Sequence, residues 1–188
     1  MSKARAVRWE ISAGAALLLA LLYFFDDTGL ISALVPAAAA HEIGHAAALR
    51  LGKARLTRVR IGVFGVEMRY AGLLSGGRAV AAIAAGPAAG ALYAAAAFLA
   101  GGGDDFWRLS GAVSVALTAF NLLPALPLDG GRLVEELTDE RFARSISRVT
   151  AAGMALAGLA LLTAYHTLSL LAMGLWLCCY NFRDTWKV

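Results

Sequence analysis

The sequence predicts a polytopic, all-α membrane protein with about six transmembrane helices and one small β-hairpin between the second and third helices. Of its 188 residues, 60% are apolar and only 16% are charged, whereas an average soluble protein has roughly 25% charged residues. The mean hydropathy of +0.67 is too high for a soluble domain, which must cover its surface with polar side chains. Low charge, aperiodic glycine and only two cysteines also exclude a disordered, collagen-like or disulfide-stabilised chain.

Six apolar runs are the candidate spans, and a span needs about 20 residues to cross the bilayer core. These runs are Ile11–Phe25, Leu30–Leu49, Ala79–Ala100, Leu109–Leu128, Val149–Tyr165 and Thr167–Phe182. The first, fifth and sixth runs are shorter than this length. We therefore expect them to recruit flanking residues, such as Trp9 and Trp186.

The charged residues predict the orientation of these spans. With six spans, 16 of the 17 basic residues lie on one side of the membrane, and only Arg108 lies on the other. The acidic pairs Asp26-Asp27 and Asp104-Asp105 share the side of Arg108. By the positive-inside rule, both termini are predicted to be cytoplasmic in a multi-pass protein of the cell inner membrane. The net charge of +4 is thus a topology signal, and no nucleic-acid partner is expected.

A signal peptide is the alternative interpretation of the N-terminus, because basic residues precede an apolar stretch there. Asp26 and Asp27 interrupt that stretch well before the small residues Pro36–Ala40, where cleavage would occur. We therefore expect the first span to remain in the mature protein.

Two further segments have distinct patterns. In Ala54–Ser75, apolar and polar residues alternate with a period of two on both sides of Phe64-Gly65, which predicts a β-hairpin lying on the membrane surface. A basic cytoplasmic loop with chance alternation is the alternative. In the third span, Gly86 and Gly90 form a small-xxx-small patch, for which close helix packing is the expected role.

The second span contains His41, Glu42 and His45 in the pattern His-Glu-Ile-Gly-His. Residues four apart share a helix face, so both imidazoles reach one metal ion. Zinc lowers the pKa of its bound water from 15.7 to about 7, and Glu42 is placed to take that proton and return it to the leaving amine. Satisfied structural histidines are the alternative. However, each ionisable group costs roughly 2.5–3.5 kcal/mol near the bilayer centre.

A catalytic zinc ion usually has three protein ligands and one open position. Asp129 is the candidate third ligand because it lies at the cytoplasmic end of the fourth span, whereas His166 falls in an outer loop. Pro124 and Pro127 interrupt the helix before Asp129, and irregular backbone is tolerated in a membrane where it lines a cavity. A helix-ending Asp-Gly-Gly turn at the interface is the alternative.

These motifs together resemble the site-2 protease family of intramembrane zinc metalloproteases. The resemblance rests on His41-Glu42-xx-His45, Gly86-Pro87, and the run Asn121-Leu-Leu-Pro-x-x-Pro-Leu-Asp129-Gly-Gly. It is greatest to the stage IV sporulation FB-type subgroup. That subgroup carries a nucleotide-sensing CBS domain and other members carry PDZ modules, which these 188 residues do not contain. The resemblance implies one intramembrane metalloprotease domain over residues 1–188, with a three-span catalytic core at about 30–132.

The resemblance also implies a role for each site residue. His41, His45 and Asp129 become the ligands of one Zn²⁺ ion, and Glu42 becomes the general base. Asn121 corresponds to an intramembrane asparagine of the family, a hydrogen-bond donor to the substrate or the tetrahedral intermediate.

The expected function is that of a zinc endopeptidase which cleaves a membrane-bound protein in or near a transmembrane segment, as in regulated intramembrane proteolysis. The expected partners are this substrate and the lipid bilayer, and a regulatory membrane protein or a second copy of the chain is left open. A zinc transporter is one rival, although the spans offer no further ionisable relay ligands. A catalytically silent membrane scaffold is the other, and the intact Glu42 argues against it.

Overall fold

The computed structural model describes residues 7–63, 65–72, 74–101 and 103–183. In chain order these residues form β1 (Arg8–Ile11), α1 (Ala13–Phe24), α2 (Leu30–Leu51), β2 (Arg55–Gly62), β3 (Gly65–Ala71), α3 (Gly77–Ala100), α4 (Asp105–Asn121), α5 (Asp129–Leu137), α6 (Glu140–Tyr165) and α7 (Ser169–Phe182). The chain divides into two compact units, Met1–Thr118 and Ala119–Val188. The mostly helical fold that the sequence predicts is confirmed, and the predicted hairpin is part of a three-stranded sheet.

Each predicted apolar run overlaps one helix, namely α1, α2, α3, α4, α6 and α7, although the first run begins at Ile11, which belongs to β1 together with Trp9. Among the described residues, α3 and α6 are long and apolar enough to cross a membrane, and α1 and α7 are shorter apolar helices. The number of six transmembrane spans stays a prediction. The cytoplasmic location of both termini also stays a prediction. Trp186 and the terminal basic residues Lys3, Arg5 and Lys187 lie outside the described residues.

The fourth helix ends earlier than the predicted span Leu109–Leu128. The apolar run continues to Leu128, but α4 ends at Asn121 and the separate helix α5 begins at Asp129. Pro124 and Pro127 explain the break, because proline lacks the amide hydrogen that a helix interior requires and disfavours helical backbone at the residue before it. Since α5 carries four charged residues among its nine, hydropathy did not reveal it.

The predicted hairpin is confirmed as the antiparallel pair β2 and β3, in which Val59 lies opposite Met68. Its predicted turn includes Phe64, which lies outside the described residues. The sheet also has a third strand, because β1 pairs in parallel with β2 and gives the order β1-β2-β3. An ion pair between Glu10 and Arg58 links these two strands, and the Arg58 guanidinium lowers the pKa of Glu10.

The carboxylate of Asp26 caps the start of α2. It accepts hydrogen bonds from the backbone amides of Ile31 at 2.6 Å and Leu30 at 3.0 Å. It also accepts one from the Thr28 hydroxyl at 2.8 Å. These donors, the Ile31 amide first, favour the charged carboxylate and hold its pKa below the usual value of 3.8.

This cap predicts a pH-dependent contribution to stability. Because the pKa of Asp26 is lower in the folded chain than in the unfolded chain, its contribution is present above pH 3.8 and is lost as the pH falls through the folded value. Thermal unfolding in detergent between about pH 7 and about pH 3 tests this. The Asp26→Asn variant is expected to lose less stability on acidification than wild type. Asp27→Asn, a change at the exposed neighbour, is the control and should behave as wild type; identical acid profiles for all three proteins would contradict the prediction.

Candidate metal centre

The helix α2 presents its first histidine on a buried face. Ala33, Ala37 and His41 follow one another at intervals of four residues, and their exposed fractions are 0%, 0% and 4%. Residues at this interval lie on one side of a helix, and on this side the two alanines precede the imidazole. His45, one turn later, is half-buried. The local sequence therefore places two imidazoles in register at the inner face of α2.

The two imidazoles bring one nitrogen each close together. His45 Nδ1 lies 2.9 Å from the carbonyl oxygen of Ala82 on α3. A carbonyl only accepts, so Nδ1 is the nitrogen that carries the proton in the neutral ring, and the lone pair is then on Nε2. This Nε2 lies 3.2 Å from His41 Nε2. Two nitrogen ligands at about 2.05 Å on a tetrahedral zinc ion would lie about 3.3 Å apart, so the histidine pair fits this ion.

Small residues on α2 and α3 make this arrangement sterically feasible. A Cβ atom on Gly86 would overlap the imidazole of His45, and one on Gly44 would overlap the backbone of Ala85. The small-residue patch of α3 therefore packs closely against α2, as predicted. The absence of a side chain at Gly86 specifically leaves room for the ring of a candidate metal ligand.

Adding one methyl group at Gly86 tests the importance of this space. In Gly86→Ala, His45 must move or α2 and α3 must separate. Such overpacking costs about 1–3 kcal/mol of stability. We also expect zinc affinity to fall at least about tenfold, as when a ligand is misoriented. Zinc competition with a chromogenic chelator and thermal unfolding measure the two effects.

Gly153→Ala is the matched control for Gly86→Ala. Gly153 also lies inside a helix, α6, but nothing lies within 4 Å of its Cβ position. This change should leave zinc affinity unchanged and stabilise the helix by about 0.5–1 kcal/mol. Equal zinc affinity in Gly86→Ala and wild type would show that the space beside His45 is not needed.

In the second compact unit, Asp129 is the first residue of α5 and is 6% exposed. The next two residues are glycines that lie directly against the preceding segment. A Cβ on Gly130 would overlap the carbonyl of Leu122, and one on Gly131 would overlap the backbone between Ala125 and Leu126. The Asp-Gly-Gly sequence thus lets the first turn of α5 rest on the irregular segment before it.

One candidate ligand atom from each of His41, His45 and Asp129 lies within 4.8 Å of the other two. These three side chains are positioned to bind a metal ion, and two imidazoles with one carboxylate form a donor set that zinc accepts. Among the described residues, Glu42 is not part of this group. It lies half-buried on α2 beside His41.

The remaining candidate residues occupy helix ends. Asn121 is the last residue of α4 and is partly buried. His166 ends α6 in a left-handed conformation, with φ of 57°, and does not belong to the metal-binding group. No sequence pattern marks the carbonyl of Ala82 as the partner of His45, because every residue carries that group and only the fold selects it.

Two comparisons with known proteins concern the family and the fold of this chain. Residues 93–165, a segment that contains Asn121 and Asp129, match the family model of peptidase family M50. The fold is similar to that of the site-2 protease from Methanocaldococcus jannaschii, with a TM-score of 0.71 and 17% sequence identity, covering 100% of this chain and 95% of that chain. The predicted resemblance to the site-2 protease family is confirmed. The narrower resemblance, to the sporulation FB-type subgroup, stays a prediction.

At 17% identity, the similarity to the site-2 protease from Methanocaldococcus jannaschii concerns the fold. No curated protein sequence matches the chain significantly.

Proposed function

We propose that this protein is an intramembrane zinc metalloendopeptidase, which hydrolyses a peptide bond in or near a transmembrane segment of a membrane-bound protein. The observation that carries the proposal is the convergence of His41, His45 and Asp129 within 4.8 Å. Ionisable groups are costly inside a membrane, and they occur there mainly where they have a function. The match to peptidase family M50 supports peptide hydrolysis as that function.

Each member of the donor set has a distinct role in this proposal. His41 and His45 would hold the zinc ion, and the Ala82 carbonyl would orient the His45 ring for this task by accepting from Nδ1. Asp129 supplies the third, anionic donor. When bound, zinc acidifies a water molecule and polarises the scissile carbonyl.

Glu42 and Asn121 act on the substrate rather than on the metal ion. Glu42 precedes the second histidine by three residues and lies outside the donor group. In the proposed reaction its carboxylate accepts a proton from the attacking water and gives it to the departing amine nitrogen. Asn121 donates an amide hydrogen bond to the substrate or to the tetrahedral intermediate, which stabilises charge that develops on the carbonyl oxygen.

We further propose that the chain is a multi-pass protein of the cell inner membrane with six spans and both termini cytoplasmic. The segregation of 16 of 17 basic residues supports this orientation. Cysteine-accessibility labelling tests it in a background in which Cys178 and Cys179, the free cysteines of the described residues, are replaced. A cysteine at Asp104 should react with an impermeant reagent only from outside the cell. Labelling from the cytoplasmic side alone would show that the number of spans is wrong.

Proteolysis itself can be tested without knowing the natural substrate. The purified protein is incubated with detergent-extracted membrane proteins of its host, and new N-termini are identified by mass spectrometry. We expect new N-termini in or near apolar segments, and their formation should stop when a zinc chelator is added. Absence of such N-termini, together with zinc uptake by vesicles that contain the protein, would support a transporter instead.

A further inference from the structure

The irregular segment that precedes Asp129 is held by two buried polar side chains of the last two helices. Ser147 on α6 and Asn181 on α7 have exposed fractions of 0% and 6%. The backbone amide of Leu126 donates to Ser147 Oγ at 3.2 Å. Asn181 Nδ2 donates to the carbonyl oxygen of Leu126 at 2.7 Å. Both backbone polar groups of one residue are thus bound by side chains from distant parts of the sequence.

Local turns do not satisfy these two groups. Within the segment, the amide of Ala125 donates to Leu123 and the amide of Leu128 donates to Ala125. Leu126 is 3% exposed, and an unsatisfied buried backbone group is costly. The two side chains therefore determine where the Leu126 backbone lies.

The position of Leu126 is transmitted to Asp129 by direct contact. Gly131 lies so close to the backbone of Ala125 and Leu126 that a Cβ atom would overlap it. Gly131 belongs to the first turn of α5, the same turn that begins with Asp129. A shift of Leu126 therefore moves the first turn of α5 and the carboxylate it carries.

The two helices that provide these side chains are also fixed to each other at this level. Arg148 Nε, next to Ser147, donates to the backbone carbonyl of Asn181 at 3.2 Å. Its guanidinium carbon lies 5.5 Å from the ring centre of Phe182. Asn181 Nδ2 donates a second hydrogen bond, to the carbonyl of Leu177 at 2.9 Å, which restrains its rotamer.

We propose that Ser147 and Asn181 are positioning residues for Asp129, and that they fix the carboxylate where zinc binds by holding Leu126. This inference rests on the proposed function, since it takes Asp129 to be a zinc ligand. It assigns α6 and α7 a specific task, which is to support the metal centre through one backbone residue. Neither side chain contacts the metal ion or the substrate in this proposal.

The test compares Ser147→Ala and Asn181→Asp with wild type, using the full chain in detergent. Ser147→Ala removes one oxygen atom, and Asn181→Asp keeps the shape but replaces the donor with an acceptor. We expect zinc to bind about tenfold more weakly in each variant, at the lower end of the 10–100-fold typical of lost support for a ligand. Competition with a chromogenic chelator measures this. The visible spectrum of the cobalt-substituted protein should also change, because it reports ligand geometry independently of activity.

Ser110→Ala separates positioning from general stability. Ser110 is a buried serine, 0% exposed, whose hydroxyl donates to the carbonyl of Ala33 at 3.0 Å. Its loss should lower the thermal midpoint at least as much as Ser147→Ala does, because Ser110 Oγ also lies 2.7 Å from the Tyr93 hydroxyl, while zinc affinity stays within about twofold of wild type. Unchanged zinc affinity in Ser147→Ala and Asn181→Asp, or equal weakening in Ser110→Ala, would overturn the inference. A wild-type protein that binds no zinc would instead overturn the proposed function.

Discussion

Replacing Glu42 with glutamine is expected to lower peptide-bond cleavage by at least about 10²–10⁴-fold, the loss typical of a missing general acid–base group. Glutamine has nearly the same shape as glutamate, but its amide cannot accept the proton of the attacking water. Zinc should remain bound, because Glu42 lies outside the group formed by His41, His45 and Asp129. The fold should also survive, since a neutral amide is less costly to bury than a carboxylate.

The measurement is co-expression of the Glu42→Gln variant with a cleavable membrane substrate, with zinc content determined on the same preparations. Glu135→Gln is the matched control, because it makes the same chemical change at an exposed position on α5. It should cleave as wild type does. Near-normal cleavage by Glu42→Gln would eliminate the proposed mechanism and favour the transporter or scaffold, whereas loss of zinc would make Glu42 a ligand.

The helices and the hairpin could be predicted because their signals are local. An apolar run such as Ala79–Ala100 is almost the same as α3, Gly77–Ala100. The period-two alternation of Ala54–Ser75 marks β2 and β3 because successive residues of a strand face opposite sides. In both cases the pattern that buries apolar side chains is also the pattern that defines the element.

The two elements that the sequence did not predict, a strand and a helix, depend on non-local contacts or are short and polar. The strand Arg8–Ile11 has four residues, and its parallel partner begins at Arg55, so only the folded chain reveals the pairing. Similarly, α5 is short and charged, and its existence follows from the proline-containing break before it. These elements lack a sufficiently long pattern of their own.

The same distinction between local and non-local signals applies to the residues of the candidate site. His41 and His45 were identifiable because a spacing of four residues places two side chains on one helix face. Asp129 required elimination among the remaining carboxylates and histidines, with the depth of each predicted span as the criterion. Ser147 and Asn181 carry no recognisable motif, and their bonds to Leu126 depend on the packing of α6 and α7. A buried polar residue in an apolar helix was the available signal, but it did not indicate a partner.

Removing the Asp129 carboxylate is expected to leave the purified protein with much less than one zinc ion per chain. The wild-type protein should hold about one zinc ion per chain. Asp129→Ala removes one of the three proposed protein ligands, and we expect a loss of affinity above the roughly 100-fold upper value for changes to residues that only orient a ligand. Asp129 is 6% exposed and begins α5, so alanine at this position changes a helix end and leaves the helix interior intact. The chain should therefore remain folded while zinc is lost.

Elemental analysis of purified Asp129→Ala measures its zinc content, and thermal unfolding in the presence of a chelator tests whether the metal-free chain is folded. Asp105→Ala is the matched control, since Asp105 likewise lies in the first turn of its helix, α4, and its removal costs the same favourable interaction with a helix N-terminus. Zinc content should be unchanged in that control. The two variants thus separate the effect of a helix-terminal carboxylate from the effect of a metal ligand. If Asp129→Ala retains its zinc, Asp129 is not a ligand, and the third donor must be sought elsewhere in the chain.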